Sequence, residues 1–468
     1  MITPLIDRKS STPVYMQLRL FVIEAINAGH LEKGERMPSI RGFANHLSLS
    51  CTTIENAYNQ LMAEGYIDSQ AGKGFFVENI EGLADNHVLR TDSFTESVAL
   101  TYHYDFASEF ISRTAFDFKV WKKHMNHVLN YEQDSLCAYG NPRGERLLRQ
   151  AISRQFYRSR GLIASSNQIV IGGGVTPLIA MLSRLLQTRG IEDISLENPG
   201  FRKAHGVFVA SGMKVGSLDV SLDGIKMSKL EQGRARACYV SPSHHFPTGF
   251  IMPVSERQRL LKWANNCDGY VIEDDYNFEL RFEGQPIPAM QGMDPNERVI
   301  YLGSFSTVLA PAIRLSFMVL PPDLNELFDK NEGMFPQTSS KIEQLALAKF
   351  IDSGDFEKHV RKIRKLYTKK QQDVLTSIDA HIHSGIQAMK VKSGLQILLR
   401  LPPNIQELEL IEGCRQRSVK LEGLSHYCRG DYKLEDHYII VGYRGISESL
   451  IEEGVKIIGE VAEKLSLN

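Results

Sequence analysis

The sequence predicts an α/β protein in which a small helical module ending in a β-hairpin precedes a mainly parallel sheet covered by helices. Three observations carry this. Up to Gly65 the apolar residues recur at helical spacing, and two short β-rich runs around glycines follow. From about Tyr104, helical patterns alternate with the β-rich runs IVIGG, DISLE, ACYVSP, GYVIEDDY and RVIYLGSFS. Late in the chain, SGLQILLRL and YIIVGY add a smaller C-terminal α/β lobe.

In the first module, Pro13 to Ala28 places Val14, Leu18, Val22, Ala25 and Ile26 at helical spacing, closed by Gly29. In GERMPSIRGFANHL, Pro38 cannot continue a helix interior and Ser39 can cap a new one. SLSCTTIENAYNQLMAEGYI puts Ile54, Ala57, Tyr58 and Leu61 on one helical face, with Gly65 as terminator. IDSQAGKGFFV then reads as two strands around a Gly-rich tip. Residues 78–103 are polar and turn-rich with no sustained period, which predicts a linker between a module over 1–77 and a larger unit over 104–468.

Composition narrows the function classes. The 468 residues are 43% hydrophobic and 23% charged, which excludes a disordered or fibrous chain. A formal net charge of −1 does not advertise a polyanionic partner, so any nucleic-acid contact must come from a local face. Cys51, Cys137, Cys238, Cys267, Cys414 and Cys428 form no CxxC pair and fit no zinc pattern, so free thiols and no metal are expected. The N-terminus lacks an apolar leader and no long apolar run follows, which predicts a cytoplasmic protein without a membrane partner.

Three short helices and a glycine-tipped hairpin suit a winged helix-turn-helix. The helix from Thr52 to Glu64 would then enter a major groove and the tip at Gly72-Lys73-Gly74 would approach the backbone. Over residues 1–77 the seven Lys/Arg (Arg8, Lys9, Arg19, Lys33, Arg36, Arg41, Lys73) are cancelled by seven Asp/Glu (Asp7, Glu24, Glu32, Glu35, Glu55, Glu64, Asp68). Placement therefore carries the case: Arg36, Arg41 and Lys73 lie near the helix entries and the tip. A neutral module of this kind suits a protein-interaction domain as well.

In the larger unit, IVIGGGVTP sets glycines between a strand and a helix, where backbone N–H groups can cradle an anion. VIEDDY ends a buried strand in three carboxylates, which are costly there unless paired, so a ligand or cation is expected beside them. GSFSTVLAPAIR adds Ser304, Ser306 and Arg314, a set suited to a phosphate monoester.

Two resemblances extend this reading. Residues 34–77 closely resemble the GntR-type winged helix, with Cys51 where that family often has arginine. The resemblance implies operator contacts from Arg36, Ser39, Arg41, Thr52, Thr53, Lys73 and Gly74, and a double-stranded DNA partner. From about residue 104, the motifs YDFASEF, YGNPRGERLLRQAI, ENPGF, YVSPSHHFPTG, VIEDDYNFELRFEG, LGSFSTVLAPAIR and FIDSGDFEKHVRKIRKLY resemble the fold-type I aminotransferase domain of the MocR subgroup of GntR regulators.

That resemblance implies a homodimer and a pyridoxal 5'-phosphate or pyridoxamine phosphate site. Asp274 would face the pyridinium nitrogen and Tyr276 the ring hydroxyl. Gly174, Val175, Thr176, Ser304, Ser306 and Arg314 would hold the phosphate, with Tyr139 reaching into the neighbouring subunit. Phe201, Lys203 and His245 would line the side of a small-molecule effector.

The same alignment exposes two departures. The family motif S-F-S-K reads Ser304-Phe305-Ser306-Thr307, so the lysine that carries the cofactor covalently is absent and no catalytic residue is expected. An alcohol cannot replace that amine as nucleophile or as proton carrier near neutral pH. In YIIVGY, Ile440 stands where many members have an arginine for a substrate carboxylate, with Arg444 as a stand-in. The sequence thus predicts a DNA-binding regulator that dimerises and senses a ligand, with a B6 phosphate bound non-covalently. A cofactor-free scaffold, a sensor of another anionic metabolite and a residual aminotransferase are the alternatives.

Overall fold

A computed structural model describes the chain apart from residues 1, 2, 5, 8, 9, 11, 79–101, 108, 109, 113, 222, 223, 278, 281–287, 390–393, 433 and 468. Most of the expected linker, and Arg8 and Lys9, lie outside the described residues. The chain divides into two compact units, Met1–Ala99 and Leu100–Asn468.

The first unit holds α1 (Val14–Asn27), α2 (Ile40–Leu47) and α3 (Cys51–Ala63), followed by β1 (Ile67–Gln70) and β2 (Gly74–Val77). Leu18, Val22, Ala25 and Ile26 of α1 bury against Ile54, Ala57, Tyr58 and Leu61 of α3, the two stripes the periodicity predicts. Ser39 caps α2, its Oγ accepting the Gly42 N–H at 3.1 Å, and Ser50 caps α3 through the Thr53 N–H at 3.1 Å. The Tyr58 hydroxyl donates to the Pro38 carbonyl at 2.9 Å and so pins α3 to the entry of α2. β1 and β2 pair antiparallel from Ile67 opposite Val77 to Gln70 opposite Gly74, and Arg36 bridges to Phe76 alongside.

The second unit opens with β3 (Tyr104–Asp105). Its main sheet consists of β4 (Ile169–Gly172), β5 (Asp193–Asn198), β6 (Lys214–Ser221), β7 (Gly224–Ile225), β8 (Ala237–Val240), β9 (Tyr270–Asp275), β10 (Val299–Ser304) and β11 (Ser316–Val319). Their order is β4-β11-β10-β9-β8-β5-β6-β7. From β10 to β6 every neighbour is parallel, whereas β11 runs antiparallel to both β10 and β4.

Helices cover both faces, which is why these strands read as near-continuous apolar runs. Ile300, Leu302 and Met318 pack under Val175–Thr188, Arg202–Ala210 and Pro322–Lys330. Tyr301, Phe317 and Val319 point the other way, against Arg146–Arg160, Lys341–Asp352 and Asp355–His381.

A smaller antiparallel sheet orders β12 (Gln387–Met389), β13 (Gln396–Arg400), β16 (Tyr438–Gly442) and β15 (Glu422–Gly423), while β14 (Val419–Lys420) pairs with β3. Ile397, Leu399, Ile439 and Val441 enter the main core, and the alternate residues Leu398 and Ile440 face the other way. Among the described residues, no helix is long and apolar enough to cross a membrane, and no group of three His, Cys, Asp or Glu side chains is placed to hold a metal ion.

Candidate ligand-binding site and DNA-facing surface

In an open, mainly parallel sheet, loops at the carboxyl ends of the strands are the natural place for a ligand. Here a cavity of about 360 Å³ lies beyond β4, β9 and β10 and extends to the small sheet. Among its walls are Val175, Thr176, Phe201, Lys203, Asp274, Tyr276, Ser304, Ser306, Thr307, Arg314, Ile440 and Arg444, residues drawn from five stretches of sequence.

The anion end is built from backbone. β4 runs into Gly173 and Gly174, and the helix Val175–Thr188 starts without a side-chain cap, so its first N–H groups stay available. Gly174 has φ 109°, and a Cβ there would sit 2.5 Å from Nη2 of Arg314. The φ favours glycine, and the close approach brings the guanidinium onto the helix N-terminus. Ser304 Oγ accepts from the Ser306 N–H at 3.3 Å and the Ser316 hydroxyl at 3.1 Å, which keeps its own hydrogen for donation.

The three carboxylates at the end of β9 divide by strand alternation. Glu273 accepts the N–H groups of Met290 at 2.8 Å and Gln291 at 2.9 Å. Asp275 pairs with Arg160 at 2.7 Å and accepts the Tyr301 hydroxyl at 2.7 Å. The expectation of a ligand or cation beside all three is therefore corrected: two are satisfied within the protein. Asp274 alone faces the cavity. Its Oδ2 accepts the Tyr239 hydroxyl, while Oδ1 is buried with no hydrogen-bond partner among the described residues. Burial pushes this carboxyl up to about 7, against the lowering effect of the Tyr239 bond. An unpartnered buried acceptor suits a ring N–H donor, and the Gly174–Arg314 corner suits a phosphate, so the residues present fit a pyridine phosphate.

Thr307 borders this space with its hydroxyl already engaged. Its hydroxyl donates to the Tyr276 carbonyl at 2.6 Å. Beside it, Nη2 of Arg444 donates to the Ser306 carbonyl at 2.8 Å.

Two expected site residues lie elsewhere. His245 is buried off the cavity, its Nδ1 2.7 Å from the Thr248 hydroxyl and its Nε2 3.1 Å from the Pro199 carbonyl. Burial pushes it down to about 3, so it is a neutral structural group behind the wall rather than an effector contact. Tyr139 is fully exposed and lines no part of its own chain's cavity. Sequence reasoning missed Tyr239, Phe246, Gln396, Glu422 and Tyr427. Only Tyr239, in the run ACYVSP, carried a signal, as a phenol inside a buried strand.

Known proteins match this architecture. The family described as "Bacterial regulatory proteins, gntR family" matches residues 14–77, and "Aminotransferase class I and II" matches 107–425. The chain is 38% identical over 97% of both chains to the "Uncharacterized HTH-type transcriptional regulator YhdI" of Bacillus subtilis. It is 30% identical to the "Probable rhizopine catabolism regulatory protein MocR" of Rhizobium meliloti, covering 96% of this chain and 94% of that one. The chain belongs to the MocR subgroup of GntR-family transcriptional regulators.

The fold of the regulator's second unit is that of solved aminotransferases. The kynurenine aminotransferase of Pyrococcus horikoshii, solved in complex with PMP, superposes with a TM-score of 0.69 at 22% identity, covering 77% of this chain and 90% of that one.

On the regulator's first unit, Arg36, Arg41, Thr52 and Lys73 are exposed. The other expected DNA-contacting residues carry structural roles as well. The Ser39 oxygen is occupied as a cap, and the Thr53 hydroxyl bonds Ser50 at 2.7 Å. Gly74 has φ 111° and leaves room for the Arg36 guanidinium, whose Nε would lie 3.4 Å from a Cβ there. The exposed face of α3 adds Glu55, Asn56 and Asn59, side chains able to pair with base edges that the sequence reading did not single out.

Proposed function

We propose that this transcriptional regulator reads a small-molecule signal by binding a vitamin-B6 phosphate non-covalently in its aminotransferase-like unit, without transaminase catalysis. One observation carries the reading. The cavity keeps an unpartnered buried carboxylate oxygen on Asp274 while position 307 holds a hydroxyl already spent on the Tyr276 carbonyl.

Asp274 would hold the ring nitrogen and Tyr276 the ring hydroxyl. Val175 and Thr176 N–H groups, Ser304, Ser306 and Arg314 would take the phosphate. Such a cofactor supplies an electron sink in transaminases. Here Thr307 offers no amine to carry it or to move a proton, so the chain's own groups bind and orient a ligand. Phe201, Lys203 and Arg444 border the space left for an effector. Tyr139, fully exposed on its own chain, is assigned to the partner's cavity in a homodimer. Arg36, Arg41, Thr52, Lys73 and the backbone at Gly74 are assigned to the operator, a double-stranded DNA.

The test is calorimetric titration of the purified full chain with pyridoxal phosphate and pyridoxamine phosphate, then borohydride reduction and peptide mapping. Saturable binding without a reduced lysine adduct is expected. Silence with every B6 form would leave a cofactor-free scaffold, and an adduct on any lysine would restore an enzyme.

A further inference from the structure

The far end of the cavity has a chemistry of its own. Strand alternation on the small sheet sends Gln396, Ile440, Gly442 and Glu422 to one face, since Glu422 lies directly across from Ile440, and Gln396 across from Gly442. All four border the cavity. The amide of Gln396 is spent, donating to the Pro247 carbonyl. Where this sheet face borders the cavity, its ionisable side chain is therefore a carboxylate, Glu422, set against the buried, apolar Ile440.

An aromatic wall stands beside it. Phe246 meets Phe201 at 6.2 Å, Tyr276 at 5.9 Å and Tyr427 at 4.9 Å between ring centroids, each close to perpendicular. All four rings border the same cavity. The Tyr427 hydroxyl donates to Glu422 Oε2 at 2.5 Å, which joins the wall to the carboxylate and fixes its direction. Ring faces and a carboxylate together favour a positive charge, and an apolar neighbour raises the value of that charge by excluding water. Of the cavity's cations, Arg314 lies at the helix N-terminus, Arg444 donates to the Ser306 carbonyl, and Lys203, which is exposed, follows Phe201 by two residues.

We infer that the effector of this regulator is an organic amine, whose ammonium group is held by Glu422 and the Phe246–Tyr427 wall at the end of the cavity opposite the phosphate corner. Glu422 is then the specificity-determining residue. It selects an ammonium over a carboxylate of the same length, and over an uncharged hydroxyl. The inference rests on the reading of this cavity as a ligand site, but it does not require the B6 phosphate.

The test is isothermal titration of the full chain with 1,4-diaminobutane, 1,4-butanediol and butanedioate, each with and without pyridoxamine phosphate. Diaminobutane should bind, the diol about tenfold or more weakly, and butanedioate not measurably. Glu422→Gln should weaken diaminobutane about tenfold or more and move pyridoxamine phosphate less than threefold. Phe246→Leu, which keeps the carboxylate, should also weaken the diamine, and it serves as the test if Glu422→Gln fails to fold. Preference for butanedioate, no binding of the diamine, or equal diamine affinity in both variants would overturn the inference. Absence of pyridoxamine phosphate binding alongside a Glu422-dependent diamine signal would sink the B6 reading and leave this one standing.

Discussion

Replacing Asp274 by asparagine separates what the cavity requires of this residue from what the fold tolerates. In the ligand-free chain, burial lifts its carboxyl from 3.8 to about 7. A carboxyl whose folded pKa exceeds its unfolded value binds more protons folded than unfolded. Stability is therefore lost as pH rises from about 4 through about 7, and the loss is complete above that. The gap sets a ceiling of ~4 kcal/mol on that loss. Asparagine carries no charge at any pH but brings a buried N–H group that needs a partner, at a cost of ~1–3 kcal/mol. Asp274→Asn should therefore stabilise the ligand-free protein by about 2 kcal/mol at pH 8, and by little at pH 5, where the native carboxyl is already neutral. For a unit of about 370 residues this raises the melting temperature by about 2–3 °C.

Glu273, lifted by burial to about 7, slopes the pH profile of both proteins alike, whereas Glu197, lifted to about 8 chiefly by burial and in small part by the Asp274 charge, is eased in the variant and adds to its stabilisation at pH 8. Ligand binding should move the opposite way. Losing a charge-assisted bond to a ring N–H should weaken pyridoxamine phosphate about 10- to 100-fold. Scanning calorimetry at both pH values and titration at pH 8 give the two readouts. A variant that melts no higher than the native chain at pH 8, or that binds pyridoxamine phosphate as well, would refute the assignment of Oδ1 to the ligand.

Four further outcomes follow from the same geometry. Thr307→Lys should give the chain a visible absorption band with pyridoxal phosphate and a borohydride-stable mass on the substituted side chain; absence of both would mean that the cavity does not present the cofactor to position 307. Gly174→Ala, with its methyl 2.5 Å from Arg314 Nη2 at φ 109°, should weaken phosphate-bearing ligands about tenfold or more in the same titration. Ser39→Ala should lower the stability of the first unit by ~1 kcal/mol through loss of the α2 cap, read by thermal melting. Arg41→Ala should instead leave melting unchanged and reduce the salt slope of operator binding by about one, and equal slopes would remove Arg41 from the phosphate backbone.

What the sequence revealed follows from where each residue's partner lies. The stripes of α1 and α3 are local, since a period of 3.6 is written into consecutive residues, and both helices could be read with the glycines that follow them, as α2 could with its Ser39 cap. The runs in β4, β8, β9 and β10 were legible because each strand is buried on both faces. The direction of β11 was not, because Ser316–Val319 looks the same either way. Its reversal depends on the turn before it, where Arg314 takes φ 52°. The fate of VIEDDY was hidden for a related reason: Arg160, which neutralises Asp275, is 115 residues away in sequence. Glu422 lay in EGLSHY, a stretch with no period, and only the register with Ile440 brings it to the cavity. Motif spacing singled out the Gly174–Arg314 corner because helix start, glycine and arginine have fixed local roles. The end of the cavity at the small sheet is assembled from strands whose pairing no single sequence displays.

Threonine at position 307, where the resemblance implies a lysine, would then change the chemistry of the site without dismantling it. A lysine there would need its amine free, and the space beside it open. The threonine instead closes a bond to the Tyr276 carbonyl, and Arg444 closes another to the neighbouring Ser306 carbonyl. Both bonds tie the loop after β10 to the rest of the cavity wall, one to the end of β9 and the other to the segment after β16. On the proposed reading, a ligand pressing on Tyr276 would act on a wall already braced at two points, and binding energy that a transaminase directs to a reacting bond would be available to shift a conformational equilibrium. By that argument the regulator's response to ligand should be weakened by Thr307→Val, which removes the bond while keeping the shape, even where affinity is retained. Operator affinity measured with and without saturating pyridoxamine phosphate decides it. An unchanged ratio in the variant would show that the brace serves the fold alone.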